Sequence, residues 1–222
     1  GSGTTATAIS SVTPSPQLQT ATSRLTPLFI TTGDLPPALQ QWSFTKPLGF
    51  ANCTYVQGRP NAKQLCQQLD QDGRLGTLIA SWGNGAGQQA TLQTHAETAL
   101  QDVLALYQSA DAATSGCPFV FQGVQPSTQA PNGDVTTTTT LDIPAVGNDF
   151  KAYHVDYRYN AAGAGGGSTP ARLQQVYLTA CWRRGDVVAT MQLGALNDEP
   201  SVDEFKQAVA AQDKKLTDAG LQ

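Results

Sequence analysis

The clearest alternation of apolar and polar positions runs from Leu173 to Leu193, LQQVYLTACWRRGDVVATMQL. Two β-prone runs meet at Arg184-Gly185-Asp186, so the stretch predicts a β-hairpin. Either two-residue turn, Arg184-Gly185 or Gly185-Asp186, sorts the side chains the same way. Leu178, Ala180 and Trp182 fall on one face with Ala189, Met191 and Leu193, which makes it a core face. Thr179, Cys181 and Arg183 fall on the other with Val188, Thr190 and Gln192.

The same reading extends along the chain. Thr32 or Asp34 caps a short helix with Pro36 and Pro37 in its first turn, turning Leu35, Leu39 and Trp42 inward. Phe50 to Gln57 reads as a strand, Pro60 to Asp70 as a short helix, and Arg74 to Trp82 as a strand ended by Gly83-Asn84-Gly85. Thr91 to Tyr107 predicts a long helix, because Leu92, Ala96, Ala99, Leu100, Val103 and Tyr107 recur at three- and four-residue spacings. Phe119 to Val124, Val135 to Ile143 and Phe150 to Tyr159 follow as strands, and Ala161 to Pro170 as a flexible Gly-rich loop. After the hairpin, Ser201-x-x-Glu204 opens a helix with Val202, Phe205, Val209 and Leu216 on one stripe. The order is strand, strand, helix, a five-strand meander, helix. It predicts an α+β domain, an antiparallel sheet with two helices packed on it.

Residues 1–22 are Thr/Ser/Ala/Pro-rich and read as a flexible tether, leaving 23–222 as the folded domain. Gly1-Ser2-Gly3 reads as a cloning remnant, so a membrane anchor is expected upstream in the natural protein. A formal net charge of −4 and a pI near 5.0 argue against nucleic acid and anionic membrane surfaces as partners.

The four cysteines, Cys53, Cys66, Cys117 and Cys181, lack the close pairing a zinc site needs, so two disulfides in an oxidising compartment are expected. Three connectivities are open. No cofactor is expected.

No HExxH, GxSxG, P-loop or GxGxxG occurs, and Gly163 to Gly167 lacks the Lys-Ser/Thr of a phosphate-binding loop. His95 and His154 are read as structural, and Asp142, Asp149 and Asp156 as solvated acids. Asn52-Cys53-Thr54 matches a glycosylation pattern, but Cys53 is better used in a disulfide. The large rings carry two readings, filling the core or lining a groove. On the second, Trp82, Tyr153, Tyr157 and Tyr159 form a ligand site with Arg158 and Arg183 at its edge.

Three stretches together resemble a known family: LTPLFITTGDLPPALQQW, the Gly116-Cys117-Pro118 stop, and ACWRRGDVVATMQL ahead of a final helix. They are similar to the PknH-like extracellular sensor domain of actinobacterial envelope proteins, over about residues 24–218. The resemblance implies a Mog1/PsbP-like fold, two disulfides, a ligand cleft and no catalytic residues. With Cys117 bridged at the end of the long helix, as the resemblance implies, the favoured pairing is Cys66–Cys117 with Cys53–Cys181. Cys181, on the non-core face of the hairpin, then takes its partner from a segment crossing that face. The alternative is Cys53–Cys66 with Cys117–Cys181. The function implied is a non-enzymatic extracytoplasmic ligand-binding or sensor domain of a lipoprotein or membrane-anchored protein, with a small molecule, glycan or lipid fragment as ligand. An envelope protein-contact module is the alternative, and a cell-wall hydrolase fits less well.

Overall fold

The structure is a computed structural model that describes residues 14–84, 99–122, 124–131, 133–160 and 172–222. Its helices are α1 (Pro16–Leu25), α2 (Asn52–Tyr55), α3 (Ala62–Gln71), α4 (Gly116–Val120) and α5 (Val202–Asp218). Its strands are β1 (Ser43–Phe50), β2 (Arg74–Gly83), β3 (Ala99–Tyr107), β4 (Ser127–Gln129), β5 (Val135–Thr140), β6 (Asn148–Asn160), β7 (Arg172–Arg184) and β8 (Val187–Leu196). The strands form one eight-stranded sheet in the order β1-β2-β3-β8-β7-β6-β5-β4, antiparallel throughout. The α+β architecture is therefore as expected.

The hairpin β7–β8 lies in the middle of the sheet and sorts its residues as the sequence predicts. Leu178, Ala180, Trp182, Ala189, Met191 and Leu193 are all fully buried in the main core. Leu78, Ala80 and Trp82 of β2 and Leu100, Leu104 and Leu106 of β3 continue that face. Two helices cover it. The first is α5, whose Phe205, Val209 and Leu216 are buried and whose Ser201 Oγ accepts from the Glu204 N–H at 3.3 Å. The second is α1, through Ala21 and Leu25.

Helix α1 corrects the expected tether, since residues 16–22 belong to it. Ser15 caps it by accepting from the Leu18 N–H, and Pro16 supplies the pre-set φ of a first helical position. Its inward stripe, Leu18, Ala21 and Leu25, is small enough to be masked by the surrounding Thr and Gln. Residues 1–13 of the expected tether lie outside the described residues.

The second correction is larger. Residues 99–107 of the expected long helix form β3, between β2 and β8; residues 91–98 lie outside the described residues. Leu100, Asp102, Leu104 and Leu106 all point into the core, and the charged residue hides the two-residue period. The expected strand over 50–57 ends at Phe50 and gives way to α2. Of the expected strand over 119–124, residues 119–122 are the end of α4 and the turn after it. The unforeseen β1 contains Pro47, which an edge strand tolerates, and its pairing with β2 shifts between Thr45 and Leu48. The Gly-rich 161–170 loop and His95 lie outside the described residues.

Both disulfides form, with the pairing that the sequence left as the alternative: Cys53–Cys66 and Cys117–Cys181. The favoured Cys66–Cys117 and Cys53–Cys181 are corrected. The first two cysteines sit on consecutive helices, α2 and α3, so their bridge is local. Cys181 does take its partner from a segment crossing the face opposite the main core, but that segment is α4.

Candidate groove on the open sheet face

The face opposite the main core is only partly covered among the described residues. Register places its side chains in cross-strand rows. Ile79, Val103, Thr190 and Cys181 form one row. Ser81, Gln101, Gln192, Thr179 and Tyr153 form the next. Ala99, Gly194, Tyr177 and Val155 form the one after. At one end α4 crosses the sheet, fixed by Cys117–Cys181, with both cysteines buried. Beside it, α2 and α3 are stapled by Cys53–Cys66, and Val56, Leu69 and Phe119 close a small satellite core.

These elements frame a groove of about 450 Å³. The strands supply its floor, including Ile79, Gln101, Val103, Thr190, Gln192 and Tyr177. Thr54, Tyr55 and Arg59 from the α2 region and Val120, Phe121 and Val124 from the α4 region also line it. Gln101, Tyr177 and Gln192 also line an adjoining cavity of about 320 Å³ with Gln175 and Gly194. Phe121 is braced by Tyr153, edge to face at 4.7 Å between centroids. Tyr177 lies flat over Gly194, where a Cβ would stand 2.8 Å from its ring. Burial, with Tyr159 adding to it, pushes the Tyr177 hydroxyl up to about 12. The phenol therefore stays a neutral donor in the groove throughout the physiological range.

The six residues expected to line a site do not converge. Trp82 is only 1% exposed, packs in the main core against Phe44 at 5.0 Å and donates to Thr32 Oγ1. Its strand turns it to the helix-covered face, so it cannot meet a ligand on the other one. Tyr153, Tyr157 and Tyr159 share the open face; Tyr157 and Tyr159 pack on each other at 4.2 Å, and their hydroxyls donate to Asp134 and Gln175. Arg158 alternates to the opposite side and pairs with Asp156 at 2.8 Å, beside a cavity of about 490 Å³ at the β4–β5 corner that Tyr159 also lines. Arg183 is held by Asp149 at 2.7 Å. From this strand it is Val155, between the tyrosines, that reaches the groove.

Gln101, Val103, Gln192 and Tyr177 were not singled out by sequence. Misreading β3 as a helix concealed the first two. The signal for Gln192 was present in the hairpin, whose second face carries Val188, Thr190 and Gln192.

Two further chemical candidates, His154 and Asn52, have structural partners. His154 Nε2 contacts Glu199 at 2.7 Å. Asn52 is buried, and its amide donates to Asp70 and to the Arg74 carbonyl, which removes it as a glycan acceptor. Asp102 is the exception: it is wholly buried, and neither carboxylate oxygen has a hydrogen-bond partner among the described residues. Burial holds its pKa well above the ordinary carboxyl range, an effect the nearby Ile30 N–H only partly offsets.

No known protein family matches the chain by sequence, and no curated protein does. By structure it is similar to the extracellular domain of PknH from Mycobacterium tuberculosis, with a TM-score of 0.51 and 13% identity over 88% of this chain and 96% of that one. At that identity the likeness is one of fold: this chain shares the sheet-and-helix architecture of that domain.

Proposed function

We propose that this chain is a non-enzymatic, extracytoplasmic ligand-binding or sensor domain of an envelope lipoprotein or membrane-anchored protein, and that its ligand lies in the groove on the open sheet face. The observation that supports this best is the groove itself. Half-buried Ile79, Val103 and Val155 share it with amide and hydroxyl groups from several strands, and disulfide-pinned α4 also lines it. A few polar groups set among apolar ones is the usual composition of a small-molecule site. Among the described residues no carboxylate lines it, which leaves a hydrolase without its acid–base pair. The extracytoplasmic setting is supported by the two disulfides and by the likeness in fold to an extracellular domain.

A protein-contact module is the second reading. It is favoured by Phe44 and Leu48, 44% and 59% exposed on the edge strand β1. Protein-observed NMR with envelope extracts separates the two. The ligand-binding reading expects shifted amides at Val103, Tyr177, Thr190 and Gln192. Shifts confined to β1, or to the β4–β5 corner, would contradict it.

A further inference from the structure

We propose that the α2–α4 end of the groove receives the anionic headgroup of an amphipathic ligand whose single apolar chain lies along the groove. This rests on the groove being the ligand site and adds the ligand's chemical class.

The first observation concerns charge. Among the described residues lining the groove, Arg59 is the one formal charge. The neighbouring cavity, of about 290 Å³, is lined by Arg59 with Asn61, Gln64, Gln68 and Gln122 and again holds no acid. Arg59 thus stands at the junction of the two.

The second observation concerns what that cation lacks. Arg24, Arg158, Arg183 and Arg184 each pair with a carboxylate, Asp186, Asp156, Asp149 and Asp213 in turn. The two arginines on Tyr55 have no carboxylate partner among the described residues. Arg59 places its guanidinium 5.2 Å from the Tyr55 ring centroid, and Arg74 places its own at 4.3 Å from the same centroid. Arg74 is 4% exposed; it donates to Thr77 Oγ1, and its Nε is buried with no partner. The ring faces compensate part of the charge, but a buried guanidinium normally also takes a carboxylate. The groove therefore ends beside two guanidiniums that no carboxylate among the described residues pairs.

The third observation is the path leading to it. Phe50, Ile79, Val103, Phe121, Val124 and Val155 line the same groove. From β1 to β6 is five inter-strand steps, roughly 24 Å at about 4.8 Å each, enough for an extended chain of about a dozen carbons. A neutral headgroup would satisfy the amides and leave the arginines uncompensated. A phosphate or carboxylate head satisfies both.

The test compares dodecyl phosphate with dodecyl maltoside, which share a chain and differ in headgroup, titrated below micelle formation into the full chain and into Arg59→Gln. The phosphate is expected to bind at least tenfold more tightly than the maltoside, with shifts at groove residues. Arg59→Gln, at an exposed position that leaves the fold intact, is expected to erase that preference. Equal binding of the two probes, or an unchanged preference in Arg59→Gln, overturns the headgroup assignment. If neither probe binds while envelope extracts still shift Val103 and Gln192, the ligand class is wrong and the groove stands. If extracts also leave those amides unmoved, the groove reading has failed with it.

Discussion

The two faces of the sheet use the same strands for different purposes. On the helix-covered face the side chains are mainly Leu, Ala, Met and two tryptophans, Trp82 and Trp182, with Asp102 among them, and they are almost fully buried. On the open face the same strands present Thr, Gln, Tyr and Val, half-buried and framed by short helices that disulfides hold in place. The first face gains its stability from area removed from water and needs no staple. On the second, α2 and α4 span only four and five residues and bury too little to hold themselves, so covalent bonds take over. A surface kept partly uncovered at that cost is the arrangement of a binding face.

The comparison makes graded predictions. The largest effect is expected from removing Cys117–Cys181 as the Ser/Ser pair. Its sequence separation of 64 implies a loss of about 4 kcal/mol, against about 3 kcal/mol for the separation of 13 in Cys53–Cys66. Urea unfolding of the two double variants gives the ranking, and a smaller loss at Cys117–Cys181 would show that α4 is held by packing instead. On the covered face, a chain beginning at Ser23 loses residues 16–22, most of α1, including Leu18 and Ala21. It should melt roughly 10 °C lower, the counterpart of about 3 kcal/mol; an unchanged melt would mean that α1 contributes nothing to this face.

Gly194→Ala should cost about 1–3 kcal/mol by driving Tyr177 off the floor. With the ring released, its hydroxyl should titrate closer to 10 than to 12. Ultraviolet titration reads this directly, and an unmoved transition would show that the ring is not seated on that glycine.

Asp102 gives an effect spread over pH. The folded state keeps its proton while the unfolded chain releases it, so the folded state binds more protons above the unfolded pKa. The stability it contributes is intact below about pH 4 and is lost as pH rises toward the folded pKa, by at most about 1.4 kcal/mol per pH unit. Asp102→Asn should flatten that decline, and an identical pH profile would mean the carboxyl is ionised in the core.

How much of this was legible in the sequence follows the same division. The hairpin and α5 announce themselves because their apolar residues are large and regularly spaced. Strand β3 was misread because Asp102 occupies a core position, and α1 because its stripe is short, Leu18, Ala21 and Leu25 set among Thr, Ser and Gln. The existence of two disulfides was legible from the cysteine count, but their pairing depends on which segment crosses Cys181, and local composition does not encode that. The site was the least legible part. Alternation places Tyr153 and Trp82 each on some face, but only the register and order of eight strands shows that these are opposite faces.

Two adjacent residues of β8 test the division most directly. Ala189 is fully buried on the covered face, and Thr190 is half-buried on the groove floor. Thermal melting of Ala189→Trp and Thr190→Trp, each followed by NMR titration with envelope extract, compares them on one strand. Ala189→Trp should destabilise by 3 kcal/mol or more, roughly the upper end for overpacking a core, or fail to fold. Thr190→Trp should melt within a few degrees of the parent, because the groove has room for the indole, and should lose the ligand-induced shifts. If Thr190→Trp collapses like its neighbour, the open face is a second core; if it folds and binds undiminished, the groove is not the ligand site.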